Sequence, residues 1–159
     1  MTAQNLQIKT PLTPISWGEL LDKITILEIK QAHISAPVAL SNVRKELHYL
    51  NAIIQDTPEL PAAVFDLKSN LLGVNQKLWQ VEDDIRDKES QQAFDAVFIH
   101  LARQVYRLND ERAHLKKAIN LLVGSELVEE KSYKEFEAQH GQLDEGFGHA
   151  VRNPKMDTN

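Results

Sequence analysis

No cysteine stands anywhere in the 159 residues. Disulfides, thiolate zinc sites and cysteine nucleophiles are therefore excluded. Nor does any run approach the roughly 18 consecutive apolar residues that a membrane-spanning helix needs. Residues 1–10 (MTAQNLQIKT) lack the charged start and apolar centre of a secretory signal, so the cytoplasm is the expected compartment. The hairpin pairs Asn-Gly and Asp-Gly are missing. Alternation is confined to Leu6-Gln7-Ile8-Lys9, which leaves room for a short extended arm and little other β-structure. There is no glycine-rich phosphate loop, no Gly-x-Ser-x-Gly elbow and no His-x-x-x-His pair. Positive charge is in deficit, 18 Lys+Arg against 23 Asp+Glu, which disfavours nucleic acid as a partner. No membrane partner and no cofactor is expected.

What is present is an ordinary globular composition, 42% hydrophobic and 26% charged, arranged with helical periodicity. None of the six prolines falls between residues 62 and 153, a span permissive for long helices. Ser16-Trp17-Gly18-Glu19 reads as a capping box, with Ile15 and Leu20 as its hydrophobic staple. The helix it opens runs to about Ile34. Pro37 starts a second helix that ends at Asp56-Thr57-Pro58. Val64, Leu67, Leu71, Val74, Leu78, Val81 and Ile85 form a heptad seam, which predicts a third helix over 61–88. A fourth is expected over 91–123, with the seam Phe94, Phe98, Leu101, Val105, Leu108, Arg112, Leu115, Ile119 and Leu122 and a stop at Gly124. The short connection predicts an antiparallel hairpin. Residues 125–136 suit a short helix, and residues 137–159, rich in glycine and poor in apolar residues, a flexible tail. The expected fold is all-α, four-helix-bundle-like: a long hairpin plus two shorter N-terminal helices in one domain over 1–136.

Two features of the third helix stand apart from its seam. Phe65, Leu72 and Trp79 make a second apolar face, suited to packing by one of the first two helices or to a homodimer contact. Between the faces runs a polar stripe, Lys68, Asn75, Glu82 and Glu89, matched on the fourth helix by Asp95, Ala102, Asn109 and Lys116. Arg112 occupies an apolar seam slot and needs a carboxylate or several carbonyl partners there, with Glu46, Asp66 and Glu82 as candidate acids. Two readings follow: a structural network that fixes register, or a pocket for an anionic or small polar molecule. The second draws on Asn75, Glu82, Arg86, Arg103, Tyr106, Asn109, Arg112 and Lys116 as ligand-binding residues. The acids Glu19 and Asp22, and those from Glu82 to Glu89, could suit magnesium. Glu19 is engaged in the cap, however, and helix-end acids are commonly solvated. No metal site and no catalytic residue is assigned.

Several strings carry a family likeness. They are Ser16-Trp17-Gly18-Glu19 followed by residues 22–30 (DKITILEIK), then Leu78-Trp79 with Glu82-Asp83 and Arg86, then Phe98-Ile99, Leu101-Ala102-Arg103, Val105-Tyr106, Asn109-Asp110 and Arg112-Ala113. Lys116, Ile119-Asn120, Gly124-Ser125 and residues 129–133 (EEKSY) extend it. Over residues 7–133 the chain resembles an uncharacterised bacterial all-helical family often found beside cell-surface polysaccharide genes. The leading reading is a non-enzymatic, self-associating helical accessory or binding protein, to which the resemblance adds a link to cell-envelope glycan metabolism. The alternative is an enzyme or binder acting on a phosphorylated or nucleotide-sugar ligand along the polar stripe.

Overall fold

The computed structural model describes residues 8–131. Four helices follow in order: α1 (Trp17–His33), α2 (Pro37–Gln55), α3 (Ala62–Ser90) and α4 (Ala96–Leu122). They take up 74% of the described residues, which contain no strand, against the ~30–35% helix of an average domain. The all-α expectation therefore holds. Leu6 and Gln7 of the expected arm, residues 132–136 of the expected short helix and the tail over 137–159 lie outside the described residues; Ile8 and Lys9 are exposed and form no strand.

Three of the four starts have a local cause. Ser16 Oγ accepts the Glu19 N–H at 3.2 Å and caps α1. Pro37 sits in the first turn of α2, where its missing N–H costs nothing. Asp95 caps α4 by accepting the Phe98 N–H at 3.0 Å. That cap moves the start of α4 from the expected residue 91 to Ala96 and leaves Phe94 outside the helix, 57% exposed. The connection turns through Gln92, at φ 52°. Gly124, at φ +60°, closes the other end of α4. Residues 125–131 are not helical, contrary to expectation.

α1 is the hub. It packs against α2, α3 and α4, while α3 and α4 pack along each other and α2 rests on α1. The core gathers around α1, with Leu20, Leu21, Ile24 and Leu27 meeting Val43 and Leu47 of α2, Val64 and Leu71 of α3 and Ile119 of α4. Of the α3 seam, Val64, Leu71, Val74, Leu78 and Val81 are buried, and Leu67 and Ile85 are half-buried. The α4 seam is less buried. Ile119 alone of its nine positions is fully buried, and Lys116 and Asn120 are buried beside it. The reason is that α4 turns a polar stripe, not its apolar one, towards α1. Beyond Val81 on α3 and before Lys116 on α4, the hairpin carries no fully buried side chain.

Candidate functional site

Eight residues of α1 are buried, two of them polar: Asp22 is 2% exposed and Thr25 fully covered. A carboxylate at that depth needs several donors. Arg112 supplies two. Its Nε donates to Asp22 Oδ1 at 2.8 Å and its Nη2 to Oδ2. Asn75 Nδ2 donates to Asp22 Oδ1 and to Thr25 Oγ1, both at 2.9 Å, and Thr25 Oγ1 donates to the Asp22 carbonyl at 2.8 Å. Arg112 Nη1 leans towards Asn109 Oδ1 at 3.4 Å. The bond to Asp22 raises the guanidinium pKa against the opposing effect of burial. Arg112 therefore stays charged at any physiological pH. Among the described residues no buried side-chain nitrogen or oxygen lacks a partner.

One turn away is a second cluster. The Lys116 ammonium is held between the carboxylates of Glu19 and Glu129. Burial works to lower its pKa, but the bonds from Glu129 and Glu19 outweigh that and raise it. The Glu19 side chain thus bridges to α4, where a closed capping box would turn it back to the Ser16 N–H. Beside it the Gly18 N–H donates to Asn120 Oδ1 at 2.6 Å. A Cβ on Gly18 would lie 2.5 Å from the Lys116 carbonyl oxygen, so only glycine allows this approach.

Above the network a groove of about 380 Å³ opens between the three helices. Ile26 and Ile29 of α1 and Leu78 and Trp79 of α3 form its apolar wall. Asn75, Glu82, Asp83 and Arg86 of α3, with Asn109 and Arg112 of α4, supply its polar groups. Trp79 is fixed by His33, their rings 5.1 Å apart. Both cations are matched: Arg112 by Asp22, and Arg86 by Glu82 at 3.1 Å. Asp83 tips the balance slightly negative.

Residues 12–149 match the family of unknown function DUF6165. The chain belongs to that family. No curated protein and no solved structure matches the chain. The DUF6165 segment takes in all four helices, the groove and both ion-pair clusters, so the site lies within the family's own region.

Of the eight expected ligand residues, the DUF6165 structure brings Asn75, Glu82, Arg86, Asn109 and Arg112 to one groove. Lys116 is spent on Glu19 and Glu129, and Arg103 and Tyr106 lie outside the lining. The two polar stripes do not simply meet each other. Both face α1: Lys68 pairs with Glu28 at 2.6 Å, Asn75 with Asp22, and Lys116 with Glu19. Arg112 takes none of its expected partners. Glu46 pairs with Lys23 and Glu82 with Arg86, and Asp66 is exposed. The true partner, Asp22, stands in an apolar run, Leu20-Leu21-Asp22-Lys23-Ile24, and that interruption was the signal for it. Glu19 and Asp22 serve different cations, and among the described residues no group of three His, Asp or Glu side chains could hold a metal. The second apolar face of α3 divides: Trp79 meets His33 of α1, whereas Phe65 stays 46% exposed.

Proposed function

We propose that this protein is a helical accessory protein that binds a small hydroxyl- or amide-rich ligand in the groove, without transforming it. The observation that carries this is the rear bracing of the polar lining. Arg112 and Asn75 line the groove, and both are held from behind by the buried Asp22 carboxylate. Such bracing lowers the ordering cost of binding. A concave, mostly apolar wall with a few fixed polar groups is the common form of a small-ligand site. The lining carries no serine, cysteine, lysine or histidine. Because both cations are already matched, a sugar ring suits the groove better than a free phosphate: hydroxyls would meet the amides and carboxylates, and a ring face would meet Trp79. The likeness to a family found beside polysaccharide genes makes sugars and nucleotide sugars the first ligands to test.

The test is tryptophan fluorescence in a Trp17→Phe background, where Trp79 is the remaining indole, alongside thermal shift. Neutral sugars, sugar phosphates and nucleotide sugars are titrated separately, the last with and without magnesium. A saturable change with a sugar, abolished by Asn109→Ala, is the expected result. No response to any of the three classes, or one that Asn109→Ala leaves intact, would overturn the reading.

A further inference from the structure

Hydrogen bonds fix which way the two amides of the groove point. Asp22 Oδ1 can only accept, so Asn75 must turn its nitrogen to it, at 2.9 Å. The same nitrogen donates to Thr25 Oγ1, which uses its second hydrogen. The Asn75 oxygen therefore faces away from Asp22. Asn75 is 5% exposed and lines the groove. Among the described residues its oxygen accepts no hydrogen bond, and no fully enclosed side-chain nitrogen or oxygen lacks a partner, so the oxygen opens into the groove.

Arg112 stands beside it, since its Nε donates to the same Asp22 oxygen at 2.8 Å. Nε and Nη2 hold Asp22, and Nη1 leans at 3.4 Å on Asn109, whose own nitrogen is turned to the Val105 carbonyl. A guanidinium carries five N–H groups, so spare donors remain. A fixed acceptor next to spare donors matches a hydroxyl, which donates and accepts at once. A phosphate or carboxylate oxygen at this point would meet the Asn75 oxygen with no proton between them.

The rest of the lining runs along α3. Trp79 lies four residues beyond Asn75 and Asp83 four beyond Trp79, about 6 Å for each step at ~1.5 Å per residue. Among the described residues Asp83 forms no ion pair, and Arg86 is taken by Glu82 at 3.1 Å. The groove thus offers an oxygen acceptor at each end and an indole between them, over about 12 Å. One sugar ring reaches only one of those ends together with the indole. Two linked rings match the span.

We propose, building on the sugar-binding reading above, that the groove takes two linked, uncharged sugar units laid along α3. The inner unit gives a hydroxyl to Asn75 Oδ1 and the outer unit gives one to the Asp83 carboxylate, with Trp79 beside the linkage.

Titrations of Trp79 fluorescence in the Trp17→Phe protein compare glucose and galactose with maltose, cellobiose and lactose. The best disaccharide should bind about tenfold tighter than either monosaccharide, the worth of one or two added hydrogen bonds. Asp83→Ala should reduce that advantage to about threefold or less. Monosaccharides that bind as tightly as every disaccharide, or an advantage that Asp83→Ala leaves whole, would overturn the two-unit proposal while the sugar-binding reading stood. No response to any of these sugars would overturn both. The inner end has its own readout. The side-chain amide signals of Asn75 in proton–nitrogen correlation spectra should move with the best disaccharide, and signals that stay in place at saturation would overturn the placement.

Discussion

Arg112 grips Asp22 through two of its nitrogens, Nε and Nη2, and joins the first helix to the last across 90 residues of sequence. The carboxylate is 2% exposed and the guanidinium side chain 28%, so the pair sits at the edge of the core with its acid on the inside. Removing the cation leaves a buried anion with the Asn75 amide as its remaining side-chain donor.

Arg112→Leu should therefore lose about 3–5 kcal/mol of stability, the usual cost of stranding one member of a buried pair. Denaturant unfolding of wild type and variant measures it. Arg112→Leu combined with Asp22→Leu should recover much of the loss, because the stranded charge is gone. A single variant as stable as wild type would mean that the pair does not hold the helices together.

Gly18→Ala tests the closest helix–helix approach. The added methyl would meet the Lys116 carbonyl oxygen at 2.5 Å and Asn120 Oδ1 at 3.0 Å. Backbone cannot swing aside as a side chain can, so α1 and α4 must separate, at a cost of about 1–3 kcal/mol. Alanine is the better helix former by almost 1 kcal/mol at an unhindered site. A stabilised variant would therefore show that the approach is looser than described.

The Lys116 cluster gives a pH dependence of known sign. Glu129 is held below the ordinary carboxylate range, chiefly by its bond to Lys116. A lowered carboxylate pKa adds stability above its unfolded value and loses it as pH falls through the folded one. The raised Lys116 adds stability below the ordinary lysine range and loses it as pH rises through its folded value. Glu129→Gln should flatten the acid limb of a stability–pH curve between roughly pH 3 and pH 5. The effect at neutral pH should stay below about 1 kcal/mol, because the Glu129 side chain is 40% exposed and water screens it. Urea midpoints of both proteins across that range check it.

The four helices were legible in the sequence because their signals are local. The Ser16 cap, Pro37, the α3 heptads and Gly124 each act within a turn or two. The start of α4 was misread because Phe94 fits the apolar spacing, while Asp95 wins the backbone by capping Phe98. Arg112 was legible as a break in an apolar seam, yet its partner was not. The nearer acids are taken by neighbours such as Lys23 and Arg86, and nothing in spacing alone links residue 112 to residue 22. The lysine bridge closes through residues 19 and 129, on opposite sides of the helix that holds Lys116 in sequence. Residues 125–131, expected as a helix, are not helical, and through them Glu129 reaches Lys116.

The hub helix is made first, and the groups that complete it are made last. Gly18 waits for Asn120, Glu19 for Lys116 and Asp22 for Arg112, at separations of 102, 97 and 90 residues. At ~5–20 residues per second, a ribosome needs roughly 5–20 s to pass from Asp22 to Arg112. Throughout that interval α1 holds a carboxylate it cannot bury, so Leu20, Leu21, Ile24 and Leu27 have no finished core to enter. A message truncated before codon 112 yields a product whose first helix has no place to settle, which makes it a ready target for proteolysis.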